Sequence, residues 1–186
     1  TYYALKKYIK GEEFGSNDVK SIYIDQSLGK VFVGTHAGGL SVIDKKTGHV
    51  QHCDNHTKND VRNIYAIEKA DENHLWIGTL KGLKRYDIRT KSFEDATDIY
   101  SNPISDVSIR SIITDSKGRL WVGGEDGVIL IRVTDNGDCN ITRMEALDNV
   151  FVQSIYESST NRIWIASRQG LFCVNENDWS LTRYSC

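Results

Sequence analysis

One four-part template recurs along this chain at a period of 43 to 45 residues, and that period constrains the fold more than any other feature. Each copy opens on a quartet: Val19-Lys20-Ser21-Ile22, Val61-Arg62-Asn63-Ile64, Ile109-Arg110-Ser111-Ile112 and Val152-Gln153-Ser154-Ile155. An apolar run centred on an aromatic follows: Val31-Phe32-Val33-Gly34-Thr35, Leu75-Trp76-Ile77-Gly78-Thr79, Leu120-Trp121-Val122-Gly123-Gly124 and Ile163-Trp164-Ile165-Ala166-Ser167. The four aromatics lie 44, 45 and 43 residues apart. A third run starts beside a glycine at 39, 82, 127 and 170, and a weaker fourth run closes the unit, as in His49-Val50-Gln51-His52 and Leu181-Thr182-Arg183-Tyr184.

All of these runs are short, rich in β-branched and aromatic residues, and bounded by Gly, Asn, Asp and Ser, with no helical period between them. The chain is therefore read as all-β. Four-stranded units repeated every 40 to 50 residues or so are the signature of propeller blades. The reading is a β-propeller segment of about four four-stranded blades, at 11–56, 57–100, 101–146 and 147–186, with residues 1–10 as the last strand of a preceding blade. A single twisted sheet cannot cover its own faces, so Phe32, Trp76, Trp121 and Trp164 are expected in the layers between blades. The glycine before each third strand is expected to supply the positive φ of a tight turn. The outer faces of the first and last blades should be covered by the remaining blades of the same protein, by a second copy in a homodimer, or by closure into a strained four-bladed ring.

With 23 basic against 25 acidic residues and no Lys/Arg run, nothing in the charge points to nucleic acid or an anionic membrane as partner. No apolar run approaches the ~18 residues that a membrane helix needs, so direct membrane insertion of this segment is not expected. The four cysteines form no CxxC pair.

These residues resemble the two-component regulator propeller repeat, whose consensus runs V-x-S-I, D-x-x-G-x-L-W-I-G-T, G-L-x-x-Y-D. The third copy carries the match through Ile109-Arg110-Ser111-Ile112, Asp115-Ser116-Lys117-Gly118-Arg119-Leu120-Trp121-Val122-Gly123 and Gly127, and the second through Leu75-Trp76-Ile77-Gly78-Thr79 and Gly82-Leu83-Lys84-Arg85-Tyr86-Asp87. The first copy departs with Phe32 and the fourth with Ala166-Ser167. The resemblance covers Val19 to the end, with Ala4 to Tyr8 similar to the closing strand of another blade. It implies a larger propeller in the periplasmic part of a membrane-anchored hybrid or one-component regulator, a non-catalytic module sensing carbohydrate such as an oligosaccharide. The competing readings are a propeller lyase or glycosidase acting on polysaccharide, and a protein-interaction propeller.

Three constellations invite chemistry. His49-x-x-His52-Cys53-x-x-His56 holds potential zinc ligands, but strand alternation sends its members to opposite faces, so no metal is expected. Asp115-Ser116-Lys117-Gly118-Arg119 approaches the Asp box of sialidase-type propellers, itself a hairpin feature, and no paired catalytic carboxylates accompany it. No catalytic residue and no cofactor is expected. Lys20, Arg62, Arg110 and Gln153 share one position in the template and are expected at a channel mouth, beside turns carrying His36, Lys81, Glu125, Arg168 and Gln169. This is the candidate ligand site. The same cations also suit plain ion pairs with Asp60, Asp106 or Asp148.

Overall fold

Strands account for nearly all of the regular structure in the computed structural model, which describes residues 10–11, 14–53, 61–96, 107–133, 139–175 and 177–184. A two-residue strand, β1 (Lys10–Gly11), precedes the first blade, formed by β2 (Val19–Asp25), β3 (Lys30–Thr35), β4 (Gly39–Asp44) and β5 (His49–Cys53). The second blade holds β6 (Ile64–Lys69), β7 (His74–Thr79), β8 (Gly82–Asp87) and β9 (Ser92–Asp95). The third is β10 (Ile109–Thr114), β11 (Leu120–Gly124), β12 (Gly127–Val133) and β13 (Cys139–Arg143). The fourth is β14 (Val152–Glu157), β15 (Ile163–Ser167), β16 (Gly170–Val174) and β17 (Leu181–Tyr184). A 3-10 turn at Glu145–Leu147 links the last two blades. Each blade is a meander with its strands hydrogen-bonded in chain order, as the repeat requires. The fold is that of β-propeller blades.

β1 adds a fifth strand to the first sheet, pairing parallel with β5 through Lys10 and His49. The segment Ala4 to Tyr8, read as the closing strand of a preceding blade, lies outside the described residues. The chain separates into two compact units, one of residues 1–80 with 84–94 and the other of 81–83 with 95–186.

In the first unit, Phe32, Leu40, Ile64, Ile67, Leu75, Ile77 and Tyr86 form one buried layer, with Tyr86 edge-on to Phe32 at 6.5 Å. In the second unit Trp121 is fully buried among Leu130, Leu147, Val152, Ile155, Ile165 and Phe172. Burying each such side chain contributes about 1.5–3 kcal/mol. Trp76 is also buried. Trp164 is a correction to the expected pattern: it is only half-buried and packs on Tyr184 of its own blade at 5.6 Å. Its equivalents Phe32 and Trp121 turn toward the blade that follows them, whereas among the described residues no further sheet is laid against the fourth.

The glycine after each aromatic-centred run explains one departure from the template. A Cβ on Gly34 would come within 2.4 Å of Ile64, and one on Gly123 within 2.6 Å of Val152, because the first strand of the next blade packs directly on that backbone. Ala166 holds the equivalent position in the fourth blade and is half-buried there. The glycines that open the third strands have φ of 70°, 88°, 106° and 130°, in the left-handed region where a side chain is strained.

Buried carboxylates fix the hairpins. Asp115 accepts hydrogen bonds from the backbone N–H groups of Lys117 and Arg119, from the Trp121 indole at 2.7 Å and from the Arg119 guanidinium. Burial alone would raise its pKa. The Trp121 and Arg119 donors outweigh that and hold the carboxyl below its ordinary value. The Asp115 turn is thus a structural device tying the hairpin to the interblade tryptophan.

Candidate functional site

The first strand of every blade carries a register shift, between Val19 and Ser21, Ile64 and Ala66, Ile109 and Ser111, and Val152 and Ser154. The unpaired residue of each bulge is Lys20, Tyr65, Arg110 or Gln153, and such a bulge re-aims its side chain away from the regular face alternation. The second blade therefore corrects the sequence alignment: the equivalent of Lys20 and Arg110 is Tyr65, and Arg62 lies three residues earlier, ahead of β6. A recurrent backbone bond confirms this register. The residue following each second strand donates to the residue preceding each first strand: His36 to Asp18, Leu80 to Asn63, Glu125 to Ser108 and Arg168 to Phe151, at 2.8–3.2 Å. Val19, Ile64, Ile109 and Val152 are then 45, 45 and 43 residues apart, in step with the aromatics.

In the first unit the bulge places Tyr65 beside His36, with the phenol oxygen 3.4 Å from Nδ1 and the rings 6.4 Å apart. The Asn63 side chain accepts the Ala37 N–H at 2.9 Å, pinning the turn. Lys20 pairs with Asp18 at 2.8 Å, both side chains well exposed, so the pair adds little stability. Arg62 is exposed, and its carbonyl accepts the Gly39 N–H at 2.9 Å. Arg62 thus does not share the position of Lys20 and Arg110, as the template alignment had it, but lies ahead of the bulge that Tyr65 occupies. Lys81 is exposed in the turn from β7 to β8.

In the second unit three of the expected residues, Arg110, Arg168 and Gln169, converge on Phe151, a residue absent from the expected set, and Glu125 joins them through Arg110. The Arg110 guanidinium reaches Glu125 at 3.2 Å and lies 5.7 Å from the Phe151 ring centre, while that of Arg168 lies at 3.9 Å. Gln169 clasps the same loop, its Oε1 accepting the Phe151 N–H at 3.1 Å and its Nε2 donating to Asn149 O at 3.3 Å. Gln153 is exposed at its bulge, and Glu125 and Arg168 are exposed in their turns. Asp148, a candidate partner for the template cations, pairs with Arg143 at 2.6 Å instead, and Arg143 also reaches Asp126 at 3.1 Å. Asp60 and Asp106 lie outside the described residues. The second unit thus gathers guanidinium and amide groups around the Phe151 ring, and the first sets an imidazole beside a phenol; each set by itself is suited to reading hydroxyls, and the guanidinium set oxyanions as well.

The histidine cluster divides. The His52 ring bonds with the Ser41 hydroxyl at 3.2 Å, Cys53 accepts the buried Tyr86 hydroxyl at 3.3 Å, and His56 is outside the described residues. Among the described residues no group of three or more His, Cys, Asp or Glu side chains is placed to hold a metal. No helix among them is long and apolar enough to cross a membrane.

Residues 103–126, which span the bulge at Arg110 and the turn at Glu125, match the two component regulator propeller family. The third blade carries a two-component regulator propeller repeat. The chain is 25% identical over 141 residues to histidine kinase P4 of Formosa agariphila, a match covering 62% of the chain and 10% of that protein. The extracellular domain of a protein assigned as a hybrid two component system of B. thetaiotaomicron superposes with a TM-score of 0.71 at 20% identity, covering 90% of this chain and 21% of that one. Virginiamycin B lyase of Staphylococcus aureus superposes with a TM-score of 0.65 at 17% identity, covering 91% and 56%. The chain thus spans a tenth of the curated relative and about a fifth of the hybrid-system domain, and these structural likenesses are likenesses of fold.

Proposed function

We propose that these blades belong to the extracytoplasmic, ligand-sensing propeller of a two-component or one-component regulator, and that the ligand is a carbohydrate such as an oligosaccharide. The observation that carries this reading is a contrast in the repeat: the regulator-propeller match at 103–126 includes the bulge and rim turn, and the turn residues change in charge and size from blade to blade while the second strands beneath them keep one apolar, aromatic-centred template. A scaffold of repeated strands with variable rim turns is how repeat proteins present recognition surfaces. The remaining blades of the same protein are the proposed cover for its end faces, where Ile22 and Ile24 are 61% and 49% exposed in the first blade and Tyr156 and Tyr184 65% and 49% in the fourth. The module itself performs no chemistry on its ligand.

A second reading, a propeller lyase, is favoured by the fold likeness to virginiamycin B lyase. One experiment separates the two. The complete sensor region is screened against a panel of plant and algal oligosaccharides by calorimetry, and each saccharide that binds is then recovered and analysed by chromatography. Binding with the saccharide recovered intact supports the sensor, and cleavage products replace it with the lyase.

A further inference from the structure

The turn from β15 to β16 carries a guanidinium that the rest of the rim does not neutralise. Arg110 is matched by Glu125, and Arg143 by Asp126 and Asp148. Arg168 sits 3.9 Å from the Phe151 ring centre, and among the described residues no carboxylate pairs with it. Arg183 backs the same turn, its Nη2 donating to Gln169 O and its guanidinium 5.9 Å from the Phe172 ring. The charged side chains named around this turn are four arginines against three carboxylates, leaving positive charge in excess at its exposed tip.

Stacking on an aromatic face does two things for a guanidinium. It replaces part of the hydration that binding would otherwise strip away, and it restrains the group so that its N–H edge faces outward. A restrained, outward fork matches a planar carboxylate or a sulfate through two parallel hydrogen bonds. The platform is itself held: Phe151 is tied at its N–H by the Gln169 side chain and at its carbonyl by the Arg168 N–H. The aromatic at 151 also breaks the template, since the equivalent positions hold Asp18, Asn63 and Ser108.

Resting on the reading of the rim as a saccharide site, we infer that Arg168, mounted on Phe151, is an oxyanion-reading group that selects an acidic saccharide, carrying a carboxylate or a sulfate, over its neutral counterpart. Arg110 contributes through Phe151 and Glu125 to the shape of the subsite, and the Gln169 clasp positions the turn.

The test uses the complete sensor region and paired probes: oligogalacturonate and alginate oligosaccharides with their methyl esters, and heparin oligosaccharides with their desulfated forms. Wild-type protein is expected to bind at least one acidic probe about tenfold or more tightly than its neutralised partner, the scale of a bidentate charge-assisted pair. The ester arm against the desulfated arm tells carboxylate from sulfate. Arg168→Gln is expected to remove the preference while keeping the weaker neutral binding, and Phe151→Leu to reduce it. Arg162→Gln, an exposed arginine in the β14 to β15 turn at the other end of the blade, makes the same charge change and should leave the preference intact. A preference that survives in Arg168→Gln, or equal binding of acidic and neutral partners by wild type, overturns the inference while the sensor reading stands. No binding to any saccharide overturns both.

Discussion

Trp121 and Trp164 occupy the same place in the repeat, the centre of the second strand, yet one is fully buried and the other half-buried. The two strands are alike in composition and in register with their neighbours. What differs is the sheet beyond. Trp121 is closed over by Val152, Ile155 and Phe172 of the fourth blade, whereas the ring that Trp164 packs on, Tyr184, belongs to its own blade. Blade stability in such a stack resides in the layers between sheets, so one residue type at one template position contributes differently according to its neighbour.

The comparison can be broken most forcefully at Trp121 itself. Trp121→Ala removes the largest fully buried side chain and orphans the Asp115 carboxylate bond, with an expected loss of about 3–5 kcal/mol in urea denaturation. Asp115→Asn removes the buried carboxylate charge that the Arg119 guanidinium and the Trp121 indole share, and should cost about 3 kcal/mol. That variant also predicts a pH signature. Because the folded carboxyl titrates below its unfolded value of about 4, its contribution is present above that value and is lost as pH falls through the lower folded one. Wild type should therefore lose stability more steeply in acid than Asp115→Asn, measured by melting temperature between neutral pH and pH ~3.

A finer version of the comparison uses the serine that stands two residues into the first strand of the first, third and fourth blades, where the second has Ala66. Ser111 accepts the Ile155 N–H at 2.9 Å across the interblade layer, so Ser111→Ala should cost about 1–2 kcal/mol by leaving that buried donor unpaired. The equivalent Ser21 hydroxyl is buried with no hydrogen-bond partner among the described residues, and Ser21→Ala should change denaturation by less than about 0.5 kcal/mol. Equal costs at the two serines would show that the interblade bond does not hold the layer.

Much of this was legible beforehand, for reasons that are local. The strands, their meander order and the positive φ of Gly39, Gly82, Gly127 and Gly170 follow from side-chain type, turn residues and period. The candidate rim was half legible. Arg110, Glu125, Arg168 and Gln169 do come together, because bulge and turn recur with the repeat. Arg62 was misplaced because Val61-Arg62-Asn63-Ile64 imitates the template by residue type, although the 44- and 45-residue aromatic spacing already favoured Ile64-Tyr65-Ala66-Ile67. Phe151 was passed over because it precedes the quartet, and its role depends on contacts with Arg110 and Arg168 from two different blades. The half-burial of Trp164 and the parallel pairing of β1 with β5 depend on what lies beside a sheet, which a repeat template does not encode.

The most direct measurement of the layered account sets Trp121→Ala beside Trp164→Ala in urea denaturation, once in this chain and once in the complete sensor region. In this chain the loss at Trp121 should exceed that at Trp164 by about 2 kcal/mol or more, since only the former leaves a closed cavity. In the complete region the gap should narrow, since the remaining blades are the proposed cover for this face. Equal losses at the two tryptophans in this chain would contradict the account, because the burial of the repeat aromatic would then not depend on the neighbouring blade.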